Sequence, residues 1–330
     1  MLKRTLLAIL FCVLSVPAVA QCVGDGFLDQ LSPADRNALA QAASDIPFGN
    51  GTVWTAKKGD QQVTVVGTMH VYDPRLEGIR ERLKETVQRA DLVLVEATQE
   101  DQKTLEQLVV TEPGILFLTE GPTLRDLVDD DTWATIAEAA SSRSLPPFMA
   151  AKMQPWYLSM MLSIPPCAMQ DMVSGNLGLD HMIMQDAAAA GVPTQAVEDI
   201  MTLFTIFQQD PLEEQIDLLR ISLLAPDTQR QMFVSMLDSY FAGDIATLWE
   251  MSRIAVRQTP GISKEQADLY FEETEASLLV GRNRAWMPVM ADALARHDDV
   301  VIAVGAAHLM GDSGVLKFLQ DRGWDLSQGL

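Results

Sequence analysis

Histidine and cysteine are both sparse, four and three respectively in a chain of 330 residues, and basic side chains are few, 24 Lys and Arg against 45 Asp and Glu. Each shortage narrows what the protein can do. A net charge of −21 repels nucleic acid and anionic lipid, so nucleic acid is not expected as a partner, while solubility and attraction of cations are favoured. The acidic residues are spread along the chain and not gathered in one run, which reads as a solvated surface. Beyond the first twenty residues no apolar run reaches the roughly 18 residues a spanning helix needs, so no stable membrane insertion is expected. Low-complexity segments are missing too.

The amino terminus reads as a leader and not as part of the fold. Lys3 and Arg4 make a basic start, Thr5 to Val16 is too short to cross a bilayer, and Ala18-Val19-Ala20 is a small-x-small cleavage site. The expectation is a signal peptide over 1–20, cut after Ala20, and a single mature domain over 21–330 that works in the periplasm or is secreted. Loss of Lys3 and Arg4 takes the net charge from −21 to −23. Cys12 leaves with the leader, so Cys22 and Cys167 remain as a pair in an oxidising compartment, and a Cys22–Cys167 disulfide is predicted.

What is plentiful is valine in short runs. Val63 to Val66 and Val300 to Val304 read as buried strands. The first forms a hairpin with Val53 to Thr55 around Lys58-Gly59-Asp60. Pro74 opens a helix with Ile79, Leu83, Val87 and Ala90 at helical spacing, which leads into a strand over Asp91 to Glu96. Strand, helix and strand make a right-handed crossover between parallel strands. Leu177 to Ala190 reads as a helix closed by Gly191, and Pro193 to Val197 as a short strand ending at Glu198. Between Ile200 and Ser277 only helices are expected, broken at Pro211, Pro226, Gly243 and Pro260-Gly261. A helix from Leu278 to about His297 precedes the last valine strand; Gly314 to Gln320 follows as a helix, then Gly323 to Leu326 as an edge strand. The expected class is α/β, a mixed and mostly parallel central sheet flanked by helices, with an all-helical lobe inserted at about 200–277. Seventeen methionines, many crowded between Met149 and Met184 among Pro146-Pro147, Pro155 and Pro165-Pro166, suggest a broken, pliant helical cover able to shape an apolar pocket.

Two of the four histidines stand in matching contexts, Gly67-Thr68-Met69-His70 and Gly305-Ala306-Ala307-His308, each directly after a valine-rich strand. Open α/β sheets place their ligands beyond the carboxyl ends of strands. Glu96 and Glu198 close two further predicted strands, so four side chains able to bind metal or move protons belong to one sheet edge. Two imidazoles with one or two carboxylates suit a divalent transition metal, Mn, Fe, Co or Zn, with positions left for water. A metal there would acidify its water and polarise a carbonyl, the chemistry of hydrolysis. His181, beside Asp180 at a helix start, reads instead as part of a capping or surface pair.

Together these motifs resemble the TraB/PrgY/GumN family, whose relatives include the Tiki metalloproteases and, more distantly, erythromycin esterase and ChaN-like haem-binding proteins. The resemblance runs from about Thr52 to Leu326. Val66 to His70, Val304 to Leu309 and Gly311 to Leu316 carry it, with Leu94-Val95-Glu96, Gly178-Leu179-Asp180, Ala196-Val197-Glu198 and Arg282-Asn283 as intermediate motifs. It implies one metal-dependent site in which His70, Glu96 and His308 are ligands and Glu198 is a further ligand or the general base. Arg282 with Asn283 would hold a carbonyl or carboxylate. Where the family often has Leu before the glutamate, Glu198 follows Val197. Arg282, four positions before Trp286, has a second reading as a cover for the aromatic face. The function implied is an exported, metal-dependent, peptidase-like hydrolase acting on a peptide or small-molecule substrate. The alternative is a non-catalytic periplasmic protein that binds a peptide, haem or metabolite.

Overall fold

The valine runs form the centre of a six-stranded sheet in a computed structural model that describes residues 22–258 and 263–330. The predicted leader, Cys12 and the Pro260-Gly261 break lie outside the described residues. The strands are β1 (Val53–Lys58), β2 (Gln61–Thr68), β3 (Leu92–Val95), β4 (Thr194–Ala196), β5 (Asp299–Gly305) and β6 (Asp325–Gln328), in the order β4-β3-β5-β2-β1-β6. β4, β3, β5 and β2 run parallel, whereas β1 is antiparallel to both β2 and β6. The sheet is therefore mixed and mostly parallel, as the strand pattern implied. The β1–β2 hairpin turns through Gly59, whose φ of 61° lies in the region that favours glycine.

Alternation along the strands supplies both faces of the core. Val93, Val95, Val301 and Ala303 pack on one side with Leu83 and Val87 of the Leu76–Arg89 helix and Ile183 and Met184 of the Leu179–Ala190 helix. Leu92, Leu94, Val300, Ile302 and Val304 pack on the other with Trp286, Met290 and Leu294 of the Arg282–Arg296 helix and Leu316 and Leu319 near the carboxyl end. Burial on both faces explains why β5 reads as a continuous apolar run.

The stretch expected to hold only helices does so among the described residues, and three hydrophobic clusters share it. Ile216 and Leu219 join Leu124, Ile136, Leu158 and Leu162 in one, Leu237, Tyr240, Ile245 and Ala246 pack with the sheet core, and Met251 packs with Phe27, Leu31 and Leu39. The helix expected from Leu278 begins with a turn of π-helix, Ala276–Gly281, before the regular Arg282–Arg296 helix. Such turns are frequent at functional sites. Cys22 and Cys167 form the predicted disulfide, with Cα atoms 5.3 Å apart, and tie the amino-terminal segment to the Pro166–Val173 helix. Closing a loop this long, across a sequence separation of 145 residues, stabilises by about 5 kcal/mol in the chain-entropy account. No helix among the described residues is long and apolar enough to cross a membrane.

Candidate functional site

Parallel pairing brings four strand ends level with one another. Thr68 of β2 lies opposite Gly305 of β5, and Val95 of β3 lies opposite both Ala303 of β5 and Ala196 of β4. Glu198, Glu96, His308 and His70 follow these ends in the order in which the strands lie side by side. Their backbones come from the first third, the middle and the last tenth of the chain, and only the sheet unites them.

The glycines of the site work through close approach. A Cβ on Gly178 would stand 2.1 Å from the Met69 carbonyl oxygen and 2.4 Å from the His70 carbonyl carbon, so only glycine lets the start of the Leu179–Ala190 helix touch the end of β2. The Leu179 N–H then donates to the Met69 carbonyl at 2.9 Å, and Asp180 arrives beside His70. A Cβ on Gly305 would meet Glu96 Oε1 at 3.2 Å, His308 Cδ2 at 3.5 Å and His70 Nε2 at 4.0 Å. The three residues thus surround one point that a larger side chain would fill.

The two histidines are held differently. His70 Nδ1 lies 3.2 Å from Asp180 Oδ2, and the imidazole faces a cleft of about 270 Å³ with its side chain 64% exposed. The hydrogen bond to Asp180, with the charge of that carboxylate, holds its pKa above the ordinary histidine value. Burial favours a neutral Asp180, but the hydrogen bonds to His181 and His70 prevail and lower its pKa. The sequence-level assignment of Asp180 and His181 to a capping or surface pair is therefore corrected. Asp180 orients His70, and His181 lines the same cleft with Nε2 3.1 Å from Gln102 Oε1. A carboxylate within reach of an imidazole across 110 residues has no local sequence signal; the Gly178-Leu179-Asp180 motif was the one clue.

His308 is buried, 4% exposed, and its Nδ1 lies 2.7 Å from Asn283 Oδ1 while Asn283 Nδ2 donates to the His308 carbonyl at 3.3 Å. Arg282 Nη1 approaches His308 Nε2 at 3.2 Å. The network assigns the proton to Nδ1 and leaves the Nε2 lone pair facing Arg282. Burial pushes the His308 pKa down to about 4, so the ring is neutral at neutral pH.

Arg282 ties the edge together. Its Nη2 donates to Glu96 Oε2 at 2.6 Å and to Glu198 Oε1, its Nε reaches Glu198 Oε2 at 3.1 Å, and its guanidinium carbon sits 4.9 Å from the Trp286 ring centre. Both readings of this residue from sequence hold together: it covers the aromatic ring and also bridges the carboxylates. Trp286 Nε1 adds a 2.9 Å bond to Glu198, and the Gly305 N–H donates to Glu96 Oε1 at 2.7 Å. Burial opposes ionisation of Glu96, yet His308, His70 and Arg282 outweigh it and hold the carboxyl below its usual range. With His308 neutral at neutral pH, His70 and Arg282 supply that charge. Glu198 spends both oxygens on Arg282 and Trp286, so in this arrangement it holds the guanidinium in place.

The donor set of His70, Glu96 and His308 has the chemistry of a divalent transition-metal site, with both outer ring nitrogens anchored as such sites require. Among the described residues no three His, Cys, Asp or Glu side chains are drawn close enough together to hold an ion as they stand. Arg282, between Glu96 and His308, occupies the bonding directions that a metal would use.

Comparison with family models matches residues 52–328 to the TraB/PrgY/gumN family, and the chain belongs to that family. Comparison with curated proteins gives no match.

Proposed function

We propose that this member of the TraB/PrgY/gumN family is an exported, metal-dependent hydrolase, peptidase-like in acting on peptide or amide bonds. The observation that carries the reading is the gathering of His70, Glu96 and His308 about the vacant Cβ position of Gly305, beside a cleft at the sheet edge that His70 and Glu96 line. In this reading His70, Glu96 and His308 hold a Mn, Fe, Co or Zn ion. When bound, such an ion lowers the pKa of water and polarises a carbonyl.

The chain's own residues supply the rest. Asp180 and Asn283 fix which nitrogen of each imidazole faces inward. Arg282, held by two carboxylates and stacked near Trp286, offers guanidinium N–H groups where negative charge develops on oxygen. A substrate oxygen that takes over those donors releases Glu198, which then has a free lone pair for the proton. Val95, Ile200 and Leu203 give the cleft apolar walls, while Thr68 Oγ1 and Asp180 Oδ1 are buried without hydrogen-bond partners among the described residues and could serve a bound molecule. Export rests on the leader-like amino terminus and agrees with a disulfide.

One observation favours the second reading, a non-catalytic binder of a peptide, haem or metabolite: Arg282 Nη1 engages the His308 nitrogen that a metal needs. Metal content by plasma mass spectrometry separates the two, on wild type and on a His70→Ala, His308→Ala double variant. The expected result is about one metal per chain and chelator-sensitive peptidase activity in wild type, with neither in the folded double variant. No metal in wild type after soaking with Mn, Co and Zn would overturn the hydrolase reading and leave the binding one.

A further inference from the structure

A second and larger concavity, about 690 Å³, lies between the Pro155–Ser163, Leu212–Ser222 and Lys264–Glu275 helices, outside the sheet-edge site. Its apolar wall is built from Trp156, Phe207 and Tyr270, with Trp156 and Phe207 stacked at 5.6 Å between ring centres and 2° between planes. Met160 and Leu218, both exposed, extend that wall to the surface. Four carboxylates border it, Asp210, Glu214, Asp217 and Glu273, and no Lys or Arg lines it. Arg220 neutralises Asp217 at 2.8 Å, whereas the other three have no ion pair among the described residues.

Two buried polar atoms in this lining are unsatisfied. Trp156 and Gln215 are each 6% exposed, and neither Trp156 Nε1 nor Gln215 Oε1 has a hydrogen-bond partner among the described residues. Gln215 commits its amide nitrogen to the Asp210 carbonyl at 2.9 Å, which leaves the oxygen over. Buried orphans of this kind are rare and costly unless a ligand serves them. One is a donor and the other an acceptor, the two kinds of group that a polypeptide backbone answers.

The groove adjoins the cleft. Leu203 of the Thr202–Gln208 helix faces the cleft, while Ile206 and Phe207 of the same helix face the groove. Leu278, at the groove's inner end, accepts from Arg282 Nη1 through its carbonyl at 3.4 Å.

We propose that this groove is a recognition subsite for a cationic segment of polypeptide bearing apolar side chains. Lys or Arg side chains meet Asp210, Glu214 and Glu273, apolar side chains lie on the Trp156–Phe207 wall, and the backbone bonds to Trp156 and Gln215. The chain then passes over the Thr202–Gln208 helix into the cleft. That last step rests on the hydrolase reading; binding in the groove does not. Cation–π contact with Tyr270 and desolvation beside three unpaired carboxylates favour a basic over an acidic partner.

The test is fluorescence anisotropy at low salt with chelator present, using a fluorescein-labelled Leu-Lys-Phe-Arg-Leu peptide and its counterpart with Glu in both basic positions. Wild type is expected to bind the basic peptide at least about tenfold more tightly than the acidic one. An Asp210→Asn, Glu214→Gln, Glu273→Gln variant is expected to lose about tenfold in affinity for the basic peptide. A charge-matched control far from the groove, Asp60→Asn, Glu81→Gln, Glu85→Gln, is expected to stay within about twofold of wild type, which separates the groove from the general acidity of the surface. Unchanged binding by the groove variant, or an equal loss in the control, overturns the proposal. Because binding is read without turnover, a protein that binds the peptide but never cleaves it sinks the catalytic reading alone.

Discussion

The two Gly-x-x-His segments are near copies in sequence and opposites in environment. His70 is open to the cleft and leans on the Asp180 carboxylate; His308 is buried and leans on the Asn283 amide. One ring is biased toward carrying a second proton, and the other is kept neutral with a pKa of about 4. The local pattern sets where each imidazole leaves the sheet. What it does there is set by neighbours more than a hundred residues away for His70 and 25 away for His308. A pair of titratable groups with pKa values pushed apart is the usual preparation for acid and base roles.

The comparison is sharpest on the buried side. Arg282→Met leaves Glu96 and Glu198 together at the sheet edge without their cation, and removing one partner from a buried ion-pair network costs roughly 3–5 kcal/mol. Urea unfolding should register that loss; a variant as stable as wild type would show that the carboxylates are not held by Arg282. Next comes Asn283→Leu, which strips the buried His308 ring of its Nδ1 partner and its carbonyl of a donor, for about 1–3 kcal/mol. The same unfolding assay applies, with a shift of the His308 ring signals in nitrogen-edited NMR as the local readout.

Asp180→Asn on the open side should have the smallest effect on stability, within about 1 kcal/mol, because solvent screens the exposed His70. Its signature is local. The His70 pKa should fall as the carboxylate's favourable hydrogen bond is lost, while His308 stays where it is. An NMR titration of the metal-free protein checks both at once. Movement of both histidines together would erase the distinction between the two halves of the site.

Much of the sheet was legible along the chain. Valine runs, the turn glycine at Gly59 and the αL cap at Gly191 act through neighbours in sequence, so β1 to β5 and the Leu179–Ala190 helix could be placed from them. The order of strands was not legible. β5 enters between β3 and β2, although the crossover from β2 to β3 is the local connection and β5 comes some two hundred residues later. Likewise the stretch at about 200–277 could be read as helical, but not that its helices pack in three different clusters, since helical periodicity marks a buried face without naming what covers it.

At the site, the sequence by itself determined which side chains end the parallel strands, and hence that His70, Glu96, Glu198 and His308 share an edge; it also pointed to Arg282 and Asn283, to the family, and to the Cys22–Cys167 pair. Only the tertiary structure decided that Arg282 lies between Glu96 and His308, that Asp180 belongs to His70, and that Trp156 and Gln215 border an acidic groove beside the cleft. The division has a physical cause. Strand direction and alternation are local consequences of backbone geometry, whereas hydrogen-bond partners and pKa values depend on which distant groups share the same low-dielectric space.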